Sequence, residues 1–537
     1  MKLVSVSEML EIERAADKSG LTYAAMMENA GRGLAEVIQE EFGHLKKGGI
    51  LALVGSGNNG GDTLVALSYL AEDGWPATAY VVRSRPADDP LLKRLEKAGG
   101  VLLSIMEDKN LKRLIASVQS PAVLLDGVLG TGIQLPLKDE VAVILEAVGR
   151  TLFAMEEPPL VVAVDCPSGM DCDSGEVAPE TIPADLTVSM AAVKRGMLKL
   201  PAYRYLGELR VVDIGLDAEL KPWQAINRFV ADAEGVMDSL PERPLDAHKG
   251  TFGRAMVVAG SVNFTGAAHL AGEAAFRVGA GWVTLAVPTP LHAALAGSFP
   301  EATWLLLPHE MGVIAEEAVP LVHENLERVT AMLVGPGLGL EDATRKFLAR
   351  MIGVEPGHGI GFTSSQERVR SAEGLELPPL VVDADGLKLL ARITKWVDGL
   401  PKPAVLTPHP GEMSVLTGLP VEEIQAQRIE VAEHFARQWG HVVLLKGAFT
   451  VIASPEGEST VVPVATPALA RAGTGDVLAG LILGLRAQGV EAYPAAVAGA
   501  WIHAQAGLRA AELFGNTASV LAGDVLEAVV EVMSELG

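Results

Sequence analysis

The sequence predicts an α/β protein of two units, each built on a mostly parallel sheet covered by helices. Three observations carry this. Short apolar runs such as Ile50-Leu-Ala-Leu-Val54 and Leu160-Val-Val-Ala-Val164 recur along the chain, and strands that read apolar on both sides are buried on both faces. Longer Ala- and Leu-rich stretches with helical period lie between them. The strand-to-helix junctions are repeatedly glycine-rich and carry a polar or charged residue, which is where open α/β sheets bind ligands. At 537 residues the chain is too long for one core, and two or three domains are expected.

In the first unit Ser7 reads as the N-cap of a helix to about Asp17, and Thr22 opens a second helix to about Glu40. Strands are expected over residues 50–54, 78–82, 123–125, 160–164, 186–189 and 209–212, with helical patterns in most gaps. Residues 217–244 mix Pro, Glu, Trp and a short amphipathic stretch, which reads as a linker. The two units are expected at 1–222 and 228–537. The second carries strands over 254–259, 282–287, 331–334, 380–382, 404–407 and 442–445. Its helices are expected over 266–278, 341–351, 421–439, 474–486 and 494–513.

Composition excludes several classes. A formal net charge of −24 argues against a nucleic-acid or anionic-membrane partner, so anionic ligands must be met by local cations and helix N-termini. Two cysteines, Cys166 and Cys172, cannot make a disulfide framework, show no metal-ligand spacing, and read as small core residues. No uncharged apolar run approaches the roughly 18 residues of a membrane span, and the N-terminus lacks the apolar stretch of a signal peptide. A cytoplasmic location is expected.

The most informative stretch is Gly473-Thr-Gly-Asp476, which opens an apolar helix. Glycines let backbone N–H groups approach an anion at the positive helix end. A carboxylate there would repel phosphate unless it takes a proton from a hydroxyl while the N–H groups hold the transferring phosphoryl. Alone, the stretch reads more readily as a glycine-rich helix start with Asp476 as cap. It does not stand alone. Gly55-Ser-Gly-Asn-Asn-Gly-Gly-Asp62 follows the first strand and precedes a helix expected from Thr63. Asp126-Gly-Val-Leu-Gly130 and Asp165-Cys-Pro-Ser168-Gly169 end two further strands. In a parallel sheet Asn59, Asp126, Asp165 and Ser168 converge at one edge, an oxygen-rich set suited to a hard cation, with an acid left as general base.

The second unit adds His248-Lys-Gly250, Gly260 to Ala267, Gly335-Pro-Gly337, Asp383-Ala-Asp385, Thr407-Pro-His409-Pro-Gly411-Glu412 and Lys446-Gly-Ala-Phe-Thr450. Prolines on both sides of His409 hold it extended, ready to present its ring. A lysine at a strand end suits a nucleotide phosphate. Asp383 and Asp385 read equally as a water or Mg²⁺ site and as turn caps.

Together these motifs, in this order over nearly the whole chain, resemble the bifunctional NAD(P)H-hydrate repair proteins. The resemblance implies an N-terminal Rossmann-like three-layer epimerase domain and a C-terminal ribokinase-like α/β dehydratase domain. It implies that the hydrate of the first unit lies on Asn58, Asn59, Gly60, Gly61 and Asp62, on Gly130, Thr131, Gly132, Ile133, Gln134, Leu135 and Pro136, and on Asp165. It implies K⁺ on Asn59, Asp126 and Ser168. In the second unit it implies hydrate on Ala267, Gly337, His409 and Asp476, and ADP, with Mg²⁺, on Lys446, Gly447, Ala448, Phe449, Thr450 and Gly475. The implied partners are NADH hydrate, NADPH hydrate and ADP, with a homo-oligomer expected. Asp476 and Asp165 are the expected catalytic acids, and Asp165 has no structural cation near it in sequence.

Two positions depart from the family pattern. Thr63 stands where glycine is usual and disfavours positive φ. Ala472 stands where glycine is usual and is expected to narrow the backbone freedom of the anion hole. Two rivals are a vitamin-precursor kinase with a regulatory first unit, and a first unit that only binds ligand.

Overall fold

The structure, a computed structural model, describes residues 1–86, 88–354 and 376–537. The chain divides into two compact units, Met1–Arg228 and Phe229–Gly537.

The first unit holds a seven-stranded, wholly parallel sheet. Across it the strands run Val101–Ser104, Ala77–Val81, Ile50–Val54, Val123–Gly127, Leu160–Val164, Leu186–Met190 and Glu208–Val212. Strand alternation builds the layers. Ile50, Ala52 and Val54 face one core with helices Val6–Ser19, Tyr23–Phe42 and Asn58–Glu72. Leu51 and Leu53 face a second core with Leu114, Val118, Ile144 and Leu145. Each such leucine, fully buried, stabilises the fold by roughly 1.5–3 kcal/mol.

The second unit holds a ten-stranded sheet, in the order Arg228–Val230, Ser459–Val461, Val451–Ala453, Val442–Leu445, Val405–Leu406, Leu380–Val382, Ala331–Val334, Arg254–Val258, Trp282–Pro288, Thr303–Leu307. From Val442–Leu445 to Thr303–Leu307 neighbours are parallel; the hairpin Val451–Ala453/Ser459–Val461 adds antiparallel. Ala255, Val257, Leu333 and Val381 pack against Leu478, Ile482, Ala496 and Ala500 of the helices Thr474–Ala487 and Ala492–Phe514.

Several expectations change. The first helix is capped by Ser5, not Ser7. Glu8 closes a capping box back onto Ser5, which frees Leu3–Val4 to pair with Val193–Lys194. The helix after the first glycine loop starts at Asn58 rather than Thr63, so only residues 55–57 are loop. The expected helix over 421–439 breaks at Gln427 into Val421–Ala426 and Arg428–Trp439. The 217–244 stretch is not a free linker. Leu220, Trp223 and Ile226 pack on the first unit's core, while Arg228–Val230 is an edge strand and Val236 is buried in the second. The edge strands Val101–Ser104 and Thr303–Leu307, and the 451–461 hairpin, were not expected. No described helix is long and apolar enough to cross a membrane.

Because its sheet and cores are contained within it, residues 229–537 expressed alone are expected to fold. Scanning calorimetry should give one cooperative transition close to one present in the full chain. A broad, non-cooperative melt would contradict this.

Candidate active sites

In the first unit the strand order reverses between Ile50–Val54 and Val123–Gly127. A crevice opens at the carboxyl ends of strands at such a point. The backbones there approach closely: a Cβ on Gly55 would lie 2.0 Å from the Val128 carbonyl oxygen, and one on Gly60 would lie 2.1 Å from that of Gly55. Helix Asn58–Glu72 begins at this crevice with Gly57 as N-cap and no side-chain cap, so its first N–H groups remain open to a ligand. Asn58, Asn59, Gly60, Gly61 and Asp62 are therefore the opening turns of a helix. Arg85, which the sequence did not single out, braces the loop: it donates to the Gly55 carbonyl at 2.9 Å and pairs with Asp89 at 2.7 Å.

Thr63 takes no positive φ. It is buried in the helix and donates to the Asn59 carbonyl at 2.7 Å. Its hydroxyl occupies the space that a Cβ on Gly127 would need, 1.9 Å away. The expected backbone conflict is absent.

Asn59, Asp126 and Ser168 are brought together and buried. Ser168 donates its backbone N–H to Asp126 at 2.8 Å and its hydroxyl at 2.5 Å, and its Oγ accepts from Leu129 N–H at 2.9 Å. Asn59 donates Nδ2 to the Leu129 carbonyl at 2.9 Å, while its Oδ1 is buried with no hydrogen-bond partner. Burial pushes the Asp126 carboxyl up, partly offset by the Ser168 bonds. Gly130 lies against Asn59, and Gly130, Thr131, Gly132, Ile133, Gln134, Leu135 and Pro136 form a partly exposed loop beyond it.

Asp165 sits in the left-handed region at φ 63°, as does Ala191. Such strain, on the order of 1–3 kcal/mol per residue, persists only where surroundings enforce it. Here Asp165 does have a cation partner, 29 residues on. Lys194, 1% exposed, forms a very short ion pair with Asp165 Oδ1. The expectation of an unpaired acid fails because the partner arrives on a different strand, Val193–Lys194. Glu13 and Asp62 lie near the same charges. Burial, then the charge of Asp165, raises both carboxyls, Asp62 well above its ordinary range, while Lys194 acts the other way. Glu13 was legible in part: it follows Met9 by four residues on the buried stripe Met9, Ile12 and Ala16 of its helix.

In the second unit the order reverses between Ala331–Val334 and Arg254–Val258. The loops on either side are tied by Gly260 N–H donating to Pro336 at 2.8 Å. Gly337, at φ 63°, faces Phe264 and Ala267. Helix Thr474–Ala487 starts with Gly473 at φ 92° as N-cap and no side-chain cap, so Asp476 lies in the first turn rather than capping it. The positive φ falls on Gly473; Ala472 has none and is exposed.

Asp476 accepts no hydrogen bond among the described residues. Its carboxyl is pushed up to about 7, first by burial and then by the charge of Asp383, with Lys446 opposing. Lys446 pairs with Asp383 at 2.6 Å and lies 3.6 Å from Glu412. Burial alone would lower the lysine, but these two carboxylates raise it. Its Nζ would be 3.7 Å from a Cβ on Gly475. Asp383 also accepts from Thr407 at 2.7 Å, and Asp385 accepts from Gly339 N–H at 3.1 Å and pairs with Lys388 at 3.3 Å. Both acids are thus engaged by side chains and loops.

His409 caps helix Pro410–Thr417 through Nδ1, which accepts from Gly411 and Glu412 N–H, while Nε2 meets Glu412 at 3.2 Å. Half of its side chain is exposed, so its ring edge remains available. Behind the turn Lys446, Gly447, Ala448, Phe449, Thr450 lies Arg428, which the sequence did not single out. It donates to the carbonyls of Leu445 and Lys446, and burial lowers it to about 10. Residues 248–250 precede the strand Arg254–Val258 and so lie at its amino end, away from the crevice. Lys249 stacks on Trp282 instead.

Among known proteins, the family profile described as NAD(P)H-hydrate dehydratase matches residues 255–530, and that described as YjeF-related protein N-terminus matches residues 23–196. The chain is 36% identical to the bifunctional NAD(P)H-hydrate repair enzyme Nnr of Moorella thermoacetica, over 100% of this chain and 97% of that protein. It is 30% identical to the protein of the same name from Escherichia coli, over 97% of this chain and 91% of that one. A Bacillus subtilis ADP/ATP-dependent NAD(P)H-hydrate dehydratase crystallised with ATP/Mg²⁺ is 30% identical, covers 58% of this chain and 100% of its own, and superposes with a TM-score of 0.46.

The Asp476 environment makes a prediction independent of any reaction. Between the ordinary carboxyl value and about 7, the folded chain holds a proton that the unfolded chain has released. Stability therefore falls as pH rises through that window, and the penalty is complete above it. Asp476→Asn is expected to raise the melting temperature by a few degrees at about pH 8 and to leave it unchanged at about pH 4. A loss of stability at the higher pH would mean that the carboxylate is favoured by the helix start.

Proposed function

The chain belongs to the family of bifunctional NAD(P)H-hydrate repair enzymes, and from that membership we propose how each unit carries its half of the chemistry. The first unit interconverts the R and S epimers of hydrated NADH and NADPH. The second restores the S form to the reduced cofactor, using ADP and releasing AMP and phosphate.

In the second unit the hydrate lies between Ala267, Gly337 and His409, with its 6-hydroxyl at Asp476. ADP lies along Lys446, Gly447, Ala448, Phe449 and Thr450. Asp476 takes the hydroxyl proton as the terminal phosphoryl passes to oxygen, and the N–H groups of residues 473–475 hold the phosphoryl charge. Phosphate then leaves C6 and a proton leaves C5, which restores the ring double bond. The observation that carries this reading is Asp476 itself: a carboxyl with no hydrogen-bond partner among the described residues, raised to about 7, in the first turn of an uncapped helix beside a buried lysine. A base whose pKa lies near the working pH is the most effective. Mg²⁺ enters only as part of the nucleotide substrate. Among the described residues no group of three acid, histidine or cysteine side chains gathers to hold a metal.

In the first unit Asp165 takes the 6-hydroxyl proton. The C6–N1 bond opens, C6 becomes an aldehyde carbon, and the electron pair rests on N1, conjugated to the carboxamide. Reclosure on the other face and return of the proton give the other epimer. The orphaned Asn59 Oδ1, with Asp126 and Ser168 oxygens beside the same loop, suits a K⁺ ion, which would supply positive charge that joins the three loops.

Two substitutions separate the halves. Asp476→Asn should lower NADH formation from the S hydrate by roughly 10²–10⁴-fold while calorimetry still detects ADP binding. Near-normal turnover would exclude Asp476 as the base. Asp165→Ala should abolish re-equilibration of the two epimers and leave consumption of the S form intact; an unchanged re-equilibration rate would move the assignment to another acid, with Asp62 next.

A further inference from the structure

Asp165 presents its two oxygens very differently. Oδ1 receives Lys194 Nζ and the Met190 N–H at 3.0 Å. Oδ2 accepts no hydrogen bond among the described residues. Lys194 in turn has no proton to spare. Beyond Asp165, its ammonium donates to Ser189 Oγ at 2.9 Å and to the Met190 carbonyl at 3.1 Å, which uses all three N–H bonds. It is almost wholly buried, so it cannot reach a ligand in the crevice.

The lysine is itself held from two sides. Val193–Lys194 pairs in parallel with Leu3–Val4, and the Val193 N–H donates to the Lys2 carbonyl at 3.0 Å. Ser189 donates to the Ala192 carbonyl at 2.9 Å, closing the turn that carries the left-handed Ala191. The two non-glycine residues with positive φ in this part of the unit, Asp165 and Ala191, thus flank the ion pair. Neither conformation has a local reason; both bring the carboxylate and the ammonium together.

We infer that Lys194 is a positioning residue for epimerisation: bound to one oxygen of Asp165, it aims the other at the hydroxyl of the hydrate. The inference rests on Asp165 being the proton acceptor. The charged and titratable groups around Asp165 are Glu13 from helix Val6–Ser19, Asp62 from helix Asn58–Glu72, Cys166 beside it in the loop, and Lys194. Lys194 is the single cation among them. Without it, the carboxylate faces two further acids with no cation to hold its orientation.

The test uses the full chain, so that dehydration of the S hydrate reports on the integrity of the second unit in every sample. Epimer re-equilibration of NADH hydrate is measured for Lys194→Met and Lys194→Arg, with kcat and KM determined separately. The methionine variant should lose about 10²-fold in kcat with little change in KM, because the substrate loops are untouched. The arginine variant keeps a cationic donor, so it should recover part of that kcat at unchanged KM. A wild-type kcat in the methionine variant overturns the inference. If that variant loses the thermal transition of the first unit, the arginine variant decides: a change in KM alone there overturns it. Asp165→Ala, run alongside, distinguishes the two claims. If it epimerises normally, the proton-acceptor reading fails; if it is inactive while Lys194→Met is normal, only the positioning role fails.

Discussion

The helices that start at Gly57 and Gly473 have no side-chain cap, and each start faces the crevice where its sheet reverses strand order. Capping by Ser, Thr, Asp or Asn is worth about 1 kcal/mol; this chain uses it at Ser5, Thr22, Asp89 and Asp232, while helices such as Asp139–Phe153 and Ala492–Phe514 also start without it. Leaving these two ends bare keeps N–H groups available to a ligand. Much else follows from that constraint. The backbone must come close to itself, hence glycine at 55 and 60, and must turn through a positive φ, hence glycine at 473. The strands must deliver their acids to the same edge, hence Asp126, Asp165, Asp383 and Asp385 at or just beyond strand ends. Both sheets meet these demands with one topology: numbered along the chain, each has its parallel strands in the order 3-2-1-4-5-6-7.

Each crevice also contains one buried lysine among several carboxylates. Lys194 serves Asp165, with Asp62 and Glu13 nearby; Lys446 serves Asp383 and Glu412, with Asp476 nearby. A chain of net charge −24 has an unfavourable background potential for anionic ligands. It places its local cations behind the acids rather than on the rim, where salt would screen them. In the second unit, this leaves one acid without a direct partner and raised toward neutrality.

The sheet strands and the glycine turns were legible because they depend on local pattern: apolar runs and backbone conformations that only glycine adopts easily. The edge strands Val101–Ser104 and Thr303–Leu307 were not, although Val101-Leu-Leu103 and Trp304-Leu-Leu-Leu307 are apolar: a short apolar run reads as strand or helix alike, and these two stay partly exposed at the sheet edge. The start of the helix at Asn58 was hidden by Asn-Asn-Gly-Gly, which spells a turn when read alone; packing against Met27 and the Gly55 carbonyl overrides that. The candidate acids could be read from the sequence, but their partners could not. Lys194 lies 29 residues from Asp165, and Asp383 lies 63 from Lys446. Nothing in the intervening sequence announces such pairs: strand order in the second sheet brings Asp383 to Lys446, and the pairing of Val193–Lys194 with Leu3–Val4 helps set Lys194 beside Asp165.

The contact between Thr63 and Gly127 links two positions in the history of the chain. The hydroxyl of one fills the volume that any side chain on the other would need, so neither position is free to vary alone. With threonine in the helix, the end of the neighbouring strand is confined to glycine; with glycine in the helix, that strand end would regain room for a methyl group. The two positions are therefore coupled beside the crevice of the first unit: a side chain at 127 requires the threonine at 63 to move.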